Sequence, residues 1–212
     1  MNGPRGGAWD AADCALLLMD YQDNVLGTIF EQDRRVIELN VSTLATYAQM
    51  LDIPVILSTV AVQMGVNGPT ISSLQAALPE VEAIDRTERN AWRDPTFMAA
   101  VQATGRKRLV MSGISTSVCL QYPAVSALAD GYEVCFIEDA VGDSTKELHD
   151  IAVMRLAHTG AVPNTTQAMM AEWDSDWASP LAGAAKDLWI DYRDKWTALL
   201  REPEHFKPSA GF

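Results

Sequence analysis

The sequence lacks any apolar run long enough to cross a membrane. Its longest uninterrupted apolar stretches, such as residues 15–19 and 55–57, are far shorter than the about 20 residues that a transmembrane helix needs. Residues 1–7 contain glycine and proline but no apolar segment of the kind that a signal peptide carries. We therefore expect no membrane partner and, by default, a cytoplasmic protein.

Basic residues are also scarce. The chain has 16 Lys and Arg against 28 Asp and Glu, which gives a net charge of −12 and a pI of about 4.5. Surfaces that bind nucleic acid need clustered Lys and Arg to contact phosphates. The composition therefore argues against a nucleic-acid partner and leaves a small-molecule substrate as the expectation.

Cysteine is rare and widely spaced, at positions 14, 119 and 135. An odd number of cysteines without CxxC or Cys/His spacing predicts neither a disulfide framework nor a zinc site. Free thiols fit a reducing compartment. We expect no metal and no cofactor.

Short apolar runs alternate with segments of helical periodicity along most of the 212 residues. The runs lie at 15–19, 54–59, 109–114 and 132–137, with weaker candidates at 83–86 and 161–162. This alternation predicts an α/β fold with three layers, α/β/α, around a mainly parallel, doubly wound sheet. Ligands of such sheets bind at the carboxyl ends of the strands, where Asp20, Cys119 and Asp139 fall.

The length favours one domain, residues 1–212. Residues 171–212 differ from the rest, because they contain four of the six tryptophans among acidic residues. Such aromatic density indicates docking, either onto the same domain or onto a neighbouring subunit. We treat this segment as a Trp-rich C-terminal extension.

Cys119 is the first candidate for chemistry. It ends the segment 113–119, in which an apolar strand runs into a helix through a turn of small hydroxyl residues. Unpaired N–H groups at a helix start, with a nearby cation, lower the pKa of a thiol and make it a nucleophile. The alternative is an inert buried cysteine, an interpretation that suits Cys14 and Cys135 better.

Asp20, at the end of the first apolar run, is the candidate base. The three histidines are poorly placed for a Cys–His pair: His149 in a predicted surface helix, His158 near a helix end and His205 in the extension. A carboxylate can take the proton instead. The alternative is that Asp20 is only a helix cap or a loop carboxylate.

Three segments resemble the isochorismatase-like cysteine hydrolases: 17–22, 113–119, and 127–134 with Asp139 and Ala140. Their order and spacing fit, and the similarity covers about residues 10–170. The segments 90–97 and 103–107 are more similar to the YcaC-like branch of that superfamily.

The resemblance implies a catalytic triad of an aspartate, a cation and a cysteine. Asp20 and Cys119 match directly. Arg86 stands where the cation, usually a lysine, is expected. Arg89 is the alternative, because the spacing from Arg86 to the segment 90–92 is about one residue shorter than in the YcaC-like branch. Since arginine stays protonated at neutral pH, it would orient Asp20 and favour the thiolate, and Asp20 would move the proton.

The resemblance also implies a non-proline cis peptide at Ile114–Ser115 and an oxyanion hole formed by the N–H groups of Ser115 and Cys119. Trp92 is a candidate for substrate binding, with a core aromatic as the equal alternative. Nicotinamidases of the superfamily hold a metal with an Asp-x-His pair after the second strand. Residues 58–64 contain neither Asp nor His, so we expect no metal here.

The predicted function is that of a cysteine hydrolase that cleaves an amide-type C–N bond through a thioester. One alternative is vinyl-ether hydrolysis of the isochorismatase type, which is disfavoured because members with that activity lack the cysteine. The other is a non-catalytic oligomeric protein in which Cys119 senses oxidants. The YcaC-like branch also implies a homo-oligomer, with an octamer as one expected size.

Overall fold

In the computed structural model, residues 7–202 are described, so residues 1–6, His205 and the end of the extension lie outside the described range. Six strands form one sheet: β1 (Cys14–Met19), β2 (Val55–Val60), β3 (Ile84–Arg86), β4 (Arg108–Gly113), β5 (Glu133–Ile137) and β6 (Val162–Asn164). Their order is β3-β2-β1-β4-β5-β6, and every pairing is parallel. The predicted α/β class and parallel sheet are therefore confirmed.

Eight α-helices connect or follow these strands: α1 (Asp23–Leu26), α2 (Arg34–Met50), α3 (Ser72–Ala77), α4 (Pro95–Ala103), α5 (Gln121–Ala129), α6 (Lys146–Thr159), α7 (Thr166–Trp173) and α8 (Ala182–Arg201). None of them is long and apolar enough to span a bilayer. Asp94 caps α4 by accepting the N–H of Phe97 at 2.8 Å, and Pro95 takes the first helical position; both residue types favour a helix start.

The alternating side chains of the strands divide the core into two layers, one on each face of the sheet. Leu16, Leu18 and Val110 pack with α2, α3, α7 and α8 on one face. On the other face, Leu17 and Met111 pack with α4, α5 and α6. Strand β1 is buried over its whole length, as expected for a central parallel strand covered on both sides.

The helix that follows β4 is irregular at its start. A π-helical turn spans Thr116–Leu120, and the α-helical hydrogen bonding begins only at Gln121. Pro123 consequently lies in the first turn of α5, where backbone N–H groups need no partner within an α-helix. Such π-turns are often found at functional sites.

The C-terminal extension docks onto its own domain over the part that the structure describes. Trp173 is buried, α8 packs against α2, and Tyr192 donates its hydroxyl hydrogen to Asn40 Oδ1 at 2.9 Å. Trp177, in contrast, is 84% exposed. Of the two interpretations of this segment, the observed contacts are those of docking within the same chain.

Candidate active site

The candidate site lies where the order of the strands reverses, between β1 and β4. Asp20 follows β1 directly, and Gly113 ends β4 beside it, paired in register with Met19. In a doubly wound sheet the crevice at this point is where ligands bind. A Cβ at Gly113 would lie 3.1 Å from Met19 Cβ and 3.3 Å from the carbonyl oxygen of Cys119. A glycine is therefore needed for the turn that carries Cys119 to approach β1.

Asp20 has an unusual backbone conformation. Its φ is +63°, in the left-handed region that L-residues other than Asn and Asp seldom adopt. The conformation is held by the bond from its N–H to the carbonyl of Ser58, at 2.9 Å. It turns a fully buried carboxylate towards the carboxyl end of the sheet. Strain of this kind is concentrated at functional sites.

Arg86 is the cation beside this carboxylate. Its Nη2 lies 2.6 Å from Asp20 Oδ2, and both side chains are completely buried. A second contact, from Arg86 Nη1 to the carbonyl oxygen of Glu88, holds the guanidinium in place. Arg89, the alternative, is exposed. The geometry therefore joins Arg86, and not Arg89, to Asp20.

The turn that carries Cys119 is fixed on both sides. The Ile114–Ser115 peptide bond is cis, as the resemblance implied. The N–H of Thr116 donates to the carbonyl of Gly142 at 2.9 Å, and that of Ser117 donates to Asp143 Oδ2 at 2.8 Å. Cys119 itself is half-buried, whereas Cys14 and Cys135 are fully buried.

The Asp20 carboxylate and the Cys119 thiol interact directly. Asp20 Oδ1 is buried and accepts no hydrogen bond from a nitrogen or oxygen donor within residues 7–202. Burial raises the pKa of Asp20 above its usual value, while Arg86 and the Cys119 thiol act to lower it. A carboxylate with a raised pKa is a better proton acceptor.

The expected lowering of the thiol pKa is wrong for the free protein. Burial raises the pKa of Cys119 well above its usual value, and the Asp20 carboxylate raises it further. The Arg86 guanidinium and the backbone N–H of Ser115 oppose this shift. Sequence reasoning counted the helix start and the cation but not the loss of solvent at the sulfur. The resting thiol is therefore protonated and needs a base to become a nucleophile.

The N–H of Ser115 points at the sulfur of Cys119, which places it where it can also donate to an oxyanion on an atom bonded to that sulfur. The matching role of the Cys119 N–H stays a prediction. Within residues 7–202, no group of three or more His, Cys, Asp or Glu side chains has a metal-binding arrangement.

The sequence left open whether Trp92 binds substrate or is a core aromatic. Its burial and contacts are those of a core aromatic. Its Nε1 donates to Asp130 Oδ2 at 2.8 Å, and its ring meets that of Tyr132 edge to face, with centroids 5.2 Å apart. Asp130 and Tyr132 precede β5, at the end of the sheet opposite Cys119. These contacts argue against a role in substrate binding within one chain.

A set of polar residues behind the turn that carries Cys119 escaped the sequence analysis. His149, predicted in a surface helix, is buried and its Nδ1 lies 3.0 Å from Thr116 Oγ1. Asp143 receives the Ser117 N–H, and its own N–H donates to Glu31 Oε1 at 3.0 Å. The helical position of His149 relative to Ala152 and Leu156, which share its buried face, was the available signal.

Asp139 belongs to the fold more than to the site. Its Oδ1 accepts the backbone N–H and the hydroxyl hydrogen of Thr166, both at 2.8 Å. This carboxylate therefore ties the end of β5 to the start of α7.

Comparison with known proteins identifies the family and agrees with the fold. The isochorismatase domain family matches residues 14–168. The "probable hydrolase YcaC" of Escherichia coli strain K12 is 34% identical over 177 residues, which cover 83% of this chain and 85% of the relative. The E. coli YcaC crystal structure, described as an octameric hydrolase of unknown specificity, superimposes with a TM-score of 0.83 at 33% identity, over 93% of this chain and 98% of that one.

A second solved structure is YcaC from Pseudomonas aeruginosa with hexane-2,5-diol and covalent acrylamide. It has a TM-score of 0.81 at 30% identity and covers 91% of this chain and 96% of its own. The chain therefore belongs to the isochorismatase family, in which it is a hydrolase of the YcaC type.

Proposed function

We propose that this protein is a cysteine hydrolase that cleaves the C–N bond of a small amide through a thioester on Cys119. The observation that carries the proposal is the buried Asp20–Arg86 pair, 2.6 Å apart, set against a half-buried thiol at the switch point of the sheet. A thiol, a carboxylate that can accept its proton, and a fixed cation together make a nucleophile that is generated on demand.

In the first half of the reaction, Asp20 accepts the proton of Cys119 as the sulfur attacks the amide carbonyl. The oxyanion that forms is stabilised by the N–H groups of Ser115 and Cys119. When the tetrahedral intermediate collapses, the C–N bond breaks and Asp20 returns the proton to the leaving amine or ammonia. The product of this half is a thioester between Cys119 and the acyl group.

In the second half, water attacks the thioester and Asp20 accepts a proton from it. Collapse breaks the C–S bond, releases the carboxylic acid and leaves the sulfur to regain a proton from Asp20. Arg86 gives up no proton in either half. It keeps Asp20 oriented and compensates the charge of the carboxylate in a buried site.

The covalent acrylamide in P. aeruginosa YcaC supports this assignment by analogy. Acrylamide combines an amide with an electrophilic double bond that thiolates attack. We infer that the site of this chain accepts a small amide and that Cys119 is the group that would react with it.

Self-association is part of the same proposal. The relative YcaC of E. coli is octameric, and α6 of this chain exposes three apolar side chains at helical spacing, Leu148, Ile151 and Met154, which are 44–59% exposed. We propose a homo-oligomer. Size-exclusion chromatography with light scattering measures it, and a monomer at micromolar concentration would contradict it.

The test of the hydrolase proposal is turnover of a panel of small primary amides, followed by released ammonia. Wild-type protein and the variant Cys119→Ala are compared, with mass spectrometry to trap the acyl-enzyme after rapid acid quench. Ammonia release that depends on Cys119, with an acyl adduct on that residue, is the expected result. Release of pyruvate from a vinyl ether by the Cys119→Ala variant would favour the vinyl-ether alternative, and reversible oxidation of Cys119 without turnover would favour the thiol-sensing one.

A further inference from the structure

Several cations near the surface of this protein pair with carboxylates. Ion pairs within the described residues engage the cationic side chains of Arg34, Arg35, Arg108, Lys146, Arg193 and Lys195. In contrast, Arg89, Arg93 and Arg155 form no ion pair within residues 7–202, and all three line one open depression with a volume of about 650 Å³. Three arginines outside any ion pair of the described residues thus line one depression, in a chain whose net charge is −12.

The walls of this depression come from separate parts of the chain. Arg89 and Arg93 lie in the segment between β3 and α4, Arg155 lies on α6, and Tyr122 and Ser126 on α5 complete the lining. These residues are far apart in the sequence. They come together because α5 and α6 pack on the same face of the sheet. Only one carboxylate, that of Glu88, is also part of the lining.

The segment that carries Arg89 and Arg93 is held firmly. Asn90 Nδ2 donates to Ser126 Oγ at 3.1 Å, and Asn90 Oδ1 accepts the N–H of Trp92, also at 3.1 Å. The buried Trp92 ring anchors the same segment to Asp130. A fixed backbone reduces the entropy that the arginines must lose when a ligand binds.

Like charges that converge without counter-charges repel one another, and a bound anion removes that repulsion. Guanidinium groups suit this task because each can donate two parallel hydrogen bonds to a phosphate or a carboxylate. The exposure of all three arginines leaves their donors accessible to a ligand from solution.

We propose that the depression lined by Arg89, Arg93 and Arg155 is a binding site for a small anion with at least two negative charges, such as a phosphate ester or a di- or tricarboxylate. The site is separate from the proposed catalytic centre, because Asp20, Arg86 and Cys119 are not among its lining residues. It is nevertheless adjacent, since Thr87 and Glu88 follow Arg86 directly and the carbonyl of Glu88 accepts the Arg86 contact.

The test is isothermal titration of the full chain with pyrophosphate and, separately, with citrate, at constant ionic strength set with sodium chloride. We expect saturable binding of at least one of them, and at least about a tenfold loss of affinity in the double variant Arg93→Ala/Arg155→Ala, because each arginine supplies charge-assisted hydrogen bonds. Binding of pyrophosphate alone identifies a phosphate ligand, and binding of citrate alone identifies a carboxylate ligand.

Two controls keep this proposal distinct from the hydrolase proposal. Arg201→Ala removes one arginine charge from the end of α8, which packs on the opposite face of the sheet, and should leave the affinity within about twofold of wild type. Cys119→Ser should also bind normally, because the anion site does not use the thiol. Anions that bind no more tightly than chloride, or an equal loss in Arg201→Ala and the double variant, would overturn the proposal.

Discussion

The three cysteines occupy two different environments, the apolar core for Cys14 and Cys135 and the carboxyl end of the sheet for Cys119. Cys14 and Cys135 lie inside β1 and β5, within the apolar layer that faces α2. Burial raises the pKa of Cys14 to about 11, and burial likewise raises that of Cys135. Cys119 lies past the end of β4, and its pKa is raised as well.

A raised pKa is thus common to all three thiols and does not identify the nucleophile. The difference is a neighbouring proton acceptor. Cys119 faces the buried Asp20 carboxylate, which Arg86 orients, whereas the sulfurs in β1 and β5 are packed in the core. What makes a thiol catalytic here is a base that takes its proton at the moment of attack and can return it to the leaving group.

The largest effect expected from this comparison is on the cysteines themselves. Cys119→Ala should lower amide turnover at least about a thousandfold, because no other group can form the thioester. Cys135→Ala makes the same substitution at a fully buried thiol and should retain turnover within about threefold. Peptide mapping after limited iodoacetamide treatment should find the label on Cys119. Label on Cys14 or Cys135 in the folded protein would break the comparison.

Asp20→Asn should separate thiol acidity from catalysis. The carboxylate raises the pKa of Cys119, so its removal should lower that pKa and speed alkylation at neutral pH. Turnover should nevertheless fall at least about a hundredfold, because the general base is lost. The measurement is the pH dependence of iodoacetamide alkylation beside that of kcat. A Cys119 pKa that is unchanged in Asp20→Asn would contradict a direct interaction between this carboxylate and the thiol.

Substitutions of Arg86 test, through the free energy of unfolding, whether the carboxylate beside Cys119 needs a counter-charge. Arg86→Met leaves the buried Asp20 carboxylate without its counter-charge, and such a loss costs about 3–5 kcal/mol of unfolding free energy. Arg86→Lys keeps the cation and should recover most of this loss, although lysine cannot make the second contact to Glu88 as rigidly. Urea denaturation of the three proteins measures the difference. Equal stability of Met and Lys variants would contradict a charge role for Arg86.

The smallest expected effect concerns His149, which supports the nucleophile turn through Thr116. A hydrogen bond to Glu138 raises the pKa of His149 above 6.5, and Glu31 adds to the shift against the effect of burial. Because the folded pKa is the higher one, this stabilisation is complete below about pH 6.5 and is lost as the pH rises through the folded value.

Melting temperatures of wild type and His149→Gln should therefore differ more at pH 6 than at pH 8.5, with a change on the order of 2 °C. His158→Gln removes an exposed imidazole of the same helix and controls for the substitution. A difference between wild type and His149→Gln that does not vary with pH would contradict the charged interaction.

Sequence patterns were sufficient for the fold because each strand of a parallel sheet leaves a local trace. The run 15–19 predicted β1 within one residue of its observed start at Cys14. The start of the nucleophile helix was less predictable. A π-turn depends on how Thr116 and Ser117 are held by Gly142 and Asp143, which are distant in sequence.

Some residues of the candidate site could be found from the sequence, and others could not. Asp20 and Cys119 were identifiable because they follow apolar strands and carry a family resemblance, whereas the choice between Arg86 and Arg89 needed coordinates. The sequence left the position of Trp92 open, and its placement of His149 in a surface helix was wrong, because each depends on which face of a loop or helix meets its neighbours.

The sequence by itself determined the parallel α/β sheet, the family and the two residues at the ends of β1 and β4, because these follow from local patterns. The tertiary structure alone decided which cation pairs with Asp20, that the Cys119 thiol rests protonated, and that three arginines meet beside α5. Charge and solvent exposure depend on distances between segments far apart in the chain, and a change of a few ångströms alters them decisively.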